Sequence, residues 1–281
     1  MITETRASYN GVDTRVLSVP GSGTPIVLLH GYADTADTWR GVLARLEHAG
    51  RHAYAVDLPG FGYADKRAPG PLLPQFDTFV DAMLDALGSA VLAGNSLGAA
   101  TAVRAASRHS DSVKALIALD DPLSARHWLA KLARARPIPA GLWVRAGRIR
   151  MPRAPLAWTT RHAMPRLLYG PGVTADPMII AQWSRTLSKW SDVTTLGRYA
   201  FQYAYESADG HRDVNVTCPA LVVHGARDWI IPVHSSKALH QLIPGSRFVV
   251  LPRSGHCPQL DDPTEVVRLV LEFLDSVEKI H

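Results

Sequence analysis

Apolar positions along this chain follow two alternating periods. Short continuous apolar runs recur, as expected of strands covered on both faces. They are Pro25–Leu29, His52–Val56, Ala90–Ala93, Val113–Leu119, Pro219–His224 and Phe248–Leu251. Between them, apolar residues return every three or four positions, the period of an amphipathic helix. Trp39, Val42, Leu43 and Leu46 form one such set. Phe79, Val80, Met83, Leu84 and Leu87 form a second, and Val266, Val267, Val270, Leu271 and Leu274 close the chain with a third. Ser235–Leu242 is also predicted to be helical. At the start, Thr3–Tyr9 and Val12–Val19 flank Asn10-Gly11, a two-residue hairpin signal.

Strands alternating with helices predict an α/β fold: a mostly parallel, eight-stranded sheet with helices on both faces and an antiparallel hairpin at one edge. The alternation stops over residues 121–213, which hold five of the seven tryptophans, many prolines and no convincing strand. This segment is expected to be an inserted helical cap, with 1–120 and 214–281 forming the core. Ligands of such sheets bind beyond the carboxyl ends of the strands, so polar residues at those ends are the candidates for chemistry.

The first candidate is Gly94-Asn95-Ser96-Leu97-Gly98, set between a strand and a small-residue helix. Gly94 and Gly98 permit a very sharp turn that pushes the Ser96 hydroxyl outward, and the helix N-terminus offers unpaired N–H groups to a developing oxyanion. A serine needs a base, and the base needs an orienting carboxylate. Asp228 follows the seventh strand and His256 the eighth, in Gly225-Ala226-Arg227-Asp228 and Gly255-His256. Asp120 and Asp121, ending an earlier strand, are rival carboxylates. His30-Gly31-Tyr32 follows the Pro25–Leu29 strand, where a second oxyanion donor is needed.

These motifs, with Asp57-Leu58-Pro59-Gly60-Phe61-Gly62, resemble the α/β-hydrolase-fold serine hydrolases. The resemblance implies a triad of Ser96, Asp228 and His256, in the chain order of that fold. It implies an oxyanion hole from the backbone N–H groups of Tyr32 and Leu97. It requires no metal and no organic cofactor. His30 is expected to brace the oxyanion loop and Asp57 to satisfy its own turn. His30, Gly31, Asn95 and Trp229 are candidate pocket residues, and Cys257 is expected to pack.

The reaction expected is hydrolysis of a small-molecule carboxylic ester or thioester with an apolar, lipid-like acyl group. Asp-nucleophile relatives, such as epoxide hydrolases, are excluded by Ser96. Asn95 before the serine also resembles carbon–carbon bond hydrolases of ring-fission products, but these typically carry Trp where Cys257 stands. Cofactor-free perhydrolases usually carry Met where Leu97 stands. Acyl transfer by the same triad and a catalytically silent binding protein of this fold remain as alternatives.

Charge adds one further expectation. The net charge of +5 is uneven: residues 121–213 carry 14 basic against 6 acidic residues. From Arg126 to Arg166 there are ten basic residues and no acidic one, interleaved with Trp128, Leu129, Leu132, Leu142, Trp143, Val144 and Ile149. Such a segment could rest peripherally on anionic lipid or admit an apolar acyl chain, but a solvated face with its tryptophans in the core is the favoured expectation. No nucleic-acid motif accompanies it, so nucleic-acid binding is not expected. Cys218 and Cys257 match no metal or redox spacing and are expected to be reduced. The N-terminal residues carry no signal pattern and no apolar run could span a bilayer, so a cytoplasmic protein is expected.

Overall fold

A computed structural model describes residues 1–123, 128–211 and 213–279; of Trp128 and Leu129 only the backbone is described. The eight predicted strands are β1 (Thr3–Tyr9), β2 (Val12–Val19), β3 (Ser22–Leu29), β4 (Arg51–Val56), β5 (Ala90–Asn95), β6 (Val113–Leu119), β7 (Ala220–Gly225) and β8 (Arg247–Leu251). They form one sheet in the order β1-β2-β4-β3-β5-β6-β7-β8. The β1–β2 and β2–β4 pairs are antiparallel, and all the others are parallel. Asn10 and Gly11 both take positive φ, 49° and 73°, the geometry that matches a tight hairpin to strand twist.

The two faces of the sheet are covered by different helices. On one face lie α2 (Leu73–Leu87), α3 (Leu97–Arg108) and α10 (Val233–Leu242), burying Phe76, Phe79, Val103 and Leu239. On the other lie α1 (Arg40–His48) and α12 (Pro263–Glu278), burying Leu43, Leu46, Val270 and Phe273. Trp39 belongs to a 3-10 turn, Ala36–Trp39, that leads into α1. A one-turn helix, α11 (Pro258–Asp261), precedes α12.

Between β6 and β7 the described residues are helical and contain no strand. They form α4 (Trp128–Ala135), α5 (Ala140–Gly147), α6 (Arg153–Trp158), α7 (Met164–Leu168), α8 (Pro177–Thr186) and α9 (Trp190–Glu206). A π-helical turn, Thr159–Ala163, joins α6 to α7. Cross-links tie these helices to the strand ends. The Tyr32 hydroxyl donates to the Leu196 carbonyl at 2.5 Å, and the Cys257 amide donates to the Leu168 carbonyl at 3.0 Å. Arg126 lies outside the described residues, as do the side chains of Trp128 and Leu129.

Candidate active site

The turn after β5 is as tight as its glycines suggested. A Cβ on Gly98 would lie 2.1 Å from the Leu29 carbonyl oxygen, and one on Gly94 would lie 2.3 Å from the Gly98 carbonyl carbon. A side chain at Gly98 would force α3 away from β3, and one at Gly94 would force it away from β5. Ser96 pays for this with strain: its φ is 54° and ψ −116°, a region that residues with a Cβ rarely occupy. Its amide donates to the Leu119 carbonyl at 2.9 Å, which fixes the turn to the end of β6. Among the described residues the Ser96 hydroxyl makes no hydrogen bond, to His256 or to any other group.

His256 lies in the loop after β8. Its Nδ1 is 2.7 Å from Asp228 Oδ2, and both side chains are buried. Asp228 Oδ1 accepts from the amides of Ile230 and Ile231 at 2.7 and 2.9 Å. Burial alone would raise the Asp228 pKa, but the His256 hydrogen bond and these amides hold it below the usual carboxylate value. A carboxylate so fixed keeps the proton of a neutral imidazole on Nδ1, leaving Nε2 as the basic nitrogen.

The rival carboxylates have other partners. Asp121 Oδ1 is 2.9 Å from His211 Nε2. Asp120 has a positive φ of 51° and accepts from the Gly225 amide at 2.9 Å. Its pKa is raised well above the ordinary value, first by complete burial and then by neighbouring Asp228. Asp120, His224 and Asp228 form the one cluster of possible metal-ligating groups among the described residues. Two facts argue against a metal there. Asp228 is engaged by His256, and His224 is already bonded to Ser236 Oγ at 2.8 Å and to the Ile231 carbonyl at 3.1 Å.

The loop after β3 supplies the opposite wall. His30 Nε2 accepts from the Leu58 amide at 2.9 Å, so its proton sits on Nδ1 and is donated to the Gly31 carbonyl at 2.7 Å. Burial lowers the His30 pKa, keeping the ring neutral. His30 thus braces the loop rather than facing substrate. Asp57, fully buried, accepts from the Ala36 and Tyr63 amides at 2.7 and 3.0 Å and from Arg15 Nε at 2.9 Å. A Cβ on Gly31 would approach Asn95 Oδ1 to 3.2 Å, so glycine lets the loop lie close to the turn. Leu97 opens α3, where an amide has no partner within its own helix.

Ser96, His256, Gly31, Tyr32 and Asn95 line one cavity of about 310 Å³. Trp229 does not line it. It is 76% exposed, and the next residue, Ile230, lines the cavity instead. Asn95 also does more than border the pocket: its Nδ2 donates to the His256 carbonyl at 2.9 Å, and its Oδ1 accepts from Cys257 Sγ at 3.8 Å. The residue before the serine therefore holds the histidine loop, and Cys257 is packed beneath it. Both cysteines are free thiols.

Sequence reading missed Asp34, Met164, Leu168 and Trp183, which also line the cavity, as do Ala33, Ile230 and Cys257. Met164 and Leu168 follow the π-helical turn, a distortion often found beside functional sites. Burial pushes the Asp34 carboxyl up to about 7. A second, apolar cavity of about 180 Å³ adjoins the first, with Tyr32 and Ile230 in both walls.

A sharp serine turn on a parallel sheet, with a histidine–carboxylate pair at neighbouring strand ends, makes up the candidate site. The chain belongs to the alpha/beta hydrolase fold family, whose profile matches residues 24–263. It is 28% identical over 270 residues to the pimeloyl-[acyl-carrier protein] methyl ester esterase of Neisseria meningitidis, covering 92% of this chain and 97% of that one. It is also 28% identical over 276 residues to the 2-hydroxy-6-oxo-6-(2'-aminophenyl)hexa-2,4-dienoic acid hydrolase of Metapseudomonas resinovorans, covering 94% and 88%. Among solved structures, a bacterial membrane phospholipase A shares the fold with a TM-score of 0.78 at 20% identity, covering 99% of this chain and 87% of that one.

Proposed function

We propose that this hydrolase cleaves neutral carboxylic esters or thioesters through an acyl-enzyme on Ser96. The observation that carries this reading is the shared cavity: Ser96 and His256 open onto it, and Asp228 fixes the imidazole from behind. Ser96 Oγ attacks the carbonyl carbon as His256 Nε2 takes its proton. The amides of Leu97 and Tyr32 receive the oxyanion. The intermediate collapses, the carbonyl–oxygen or carbonyl–sulfur bond breaks, and the imidazolium protonates the leaving group. Water then attacks the acyl-enzyme with His256 as base, returning the acid and free Ser96.

Cavity chemistry supports a neutral substrate. Met164, Leu168, Trp183 and Ile230 give apolar walls, and no Lys or Arg is among the described lining residues. The helices between β6 and β7 supply three of those four side chains, which supports their role as a substrate-selecting cap.

The second reading is carbon–carbon bond hydrolysis of a ring-fission product. Asn95 before Ser96 and the similarity to a dienoic acid hydrolase favour it. Such a substrate brings a carboxylate into a cavity with no Lys or Arg among its described lining residues to receive it, which ranks the reading second. Turnover of p-nitrophenyl esters of graded chain length, set beside a dienoate ring-fission product, tests the choice. Ester turnover with little dienoate turnover is expected, and rapid turnover of the dienoate alone overturns it.

A further inference from the structure

The exposed side chains of α5, α6 and the π-helical turn are not part of the site above. Neither α5 nor α6 buries a single residue. Leu142, Ile149 and Trp158 are each more than half exposed, at 53%, 57% and 59%, with Val144 and Met151 beside them in sequence. The side of α5 that does pack is a different one: Trp143 meets Phe201 of α9 at 6.3 Å between ring centres. Exposed arginines fall among the apolar side chains, at 145, 148, 150, 153 and 161. Of the nine described basic residues from Lys131 to Arg166, Arg134 alone is paired with a carboxylate, that of Asp209.

We propose that this face docks on a phospholipid bilayer carrying anionic headgroups. Charge complementarity selects the partner. Unpaired guanidinium groups match lipid phosphates, and the residues around them include no acid from 126 to 166. The apolar side chains separate a bilayer from other polyanions. A nucleic acid would satisfy the arginines but leave Leu142, Ile149 and Trp158 in water. A headgroup region takes both, with Trp at the interface and aliphatic groups below it. The docking is peripheral, since no helix among the described residues is long and apolar enough to cross a membrane. The surface also leads to the cavity: the chain runs from exposed Trp158 through five π-helical residues to Met164 and Leu168 in its wall.

Co-sedimentation of the full chain with vesicles tests this independently of the reaction. Phosphatidylcholine vesicles containing phosphatidylglycerol should pellet the protein at low salt and release it as salt rises. Pure phosphatidylcholine vesicles should not pellet it. The pair Ile149→Ser and Trp158→Ser should weaken binding roughly tenfold or more, and Arg148→Gln with Arg150→Gln by a similar factor. All of these variants should keep wild-type turnover of a water-soluble p-nitrophenyl ester, which reports that they are folded. Failure to bind anionic vesicles overturns the proposal. So does self-association that Ile149→Ser and Trp158→Ser abolish without any vesicle binding, or tighter binding to duplex DNA than to the vesicles.

Discussion

Every residue of β5, Ala90–Asn95, is buried, whereas no residue of α5, Ala140–Gly147, is. The two elements show how differently the sheet and the 121–213 segment are constrained. In the sheet, the central strands are covered on both faces, and backbone meets backbone closely where α3 leaves β5 at Gly94 and Gly98. There the catalytic candidates sit on strand ends whose places the fold dictates. In the helical segment, short helices touch the core on one side and present arginines and apolar groups on the other. On the proposed reading, reaction chemistry resides in the sheet, and the choice of substrate and surroundings in the helical segment.

That contrast can be broken most sharply at the carboxylates. Asp228→Asn should lower kcat for a p-nitrophenyl ester by about 10⁴-fold, because the imidazole then loses its orienting acceptor. Asp121→Asn should leave kcat within about tenfold of wild type, since Asp121 contacts His211 and not His256. Steady-state kinetics on the pair decides the matter. Near-full activity in Asp228→Asn with loss in Asp121→Asn or Asp120→Asn would move the acid to the end of β6.

Two alanine substitutions compare the regions directly. Gly98→Ala places a methyl against the Leu29 carbonyl and should destabilise the protein by about 3 kcal/mol or more. Gly141→Ala in α5 meets nothing within 4 Å and should stabilise by about 0.5 kcal/mol, as alanine favours a helix. Urea titrations of both variants check this, and equal effects would erase the distinction.

Asp34 gives a smaller, pH-dependent effect. Its carboxyl is raised from 3.8 in the unfolded chain to about 7 in the folded one, chiefly by burial. Between those values the folded chain retains a proton that the unfolded chain has released, so stability falls as pH rises through that window. Asp34→Asn removes this dependence. It should stabilise the protein by on the order of 2 kcal/mol near pH 8 and by little near pH 4. Thermal unfolding at the two pH values should show the gain growing with pH, and a constant offset would contradict the assignment.

The same contrast explains what could be read from the sequence. Fully buried strands announce themselves as continuous apolar runs, and the turn at Ser96 needs glycines at two fixed positions. The serine, carboxylate and histidine therefore stood out at strand ends, in an order that matches the fold. Contacts between distant segments left no such mark. Asn95 grips the His256 loop from 161 residues away, and Met164, Leu168 and Trp183 reach the cavity from the helical segment. Trp229 was misleading for a local reason. In the Asp228–Ile231 turn, the two amides bound by Asp228 fix the backbone, and Ile230 rather than Trp229 reaches the cavity wall. Residue size does not reveal that choice. Asp34 was passed over because a lone acid in a loop is usually solvated, and only the packed structure shows it buried.

The most direct test of the central claim is acid-quench mass spectrometry of the protein during turnover of a slowly deacylating p-nitrophenyl ester. An acyl adduct on the peptide containing Ser96, absent from Ser96→Ala and built up only slowly in His256→Ala, is the expected result. Full turnover with no adduct, or an adduct on another residue, would contradict it.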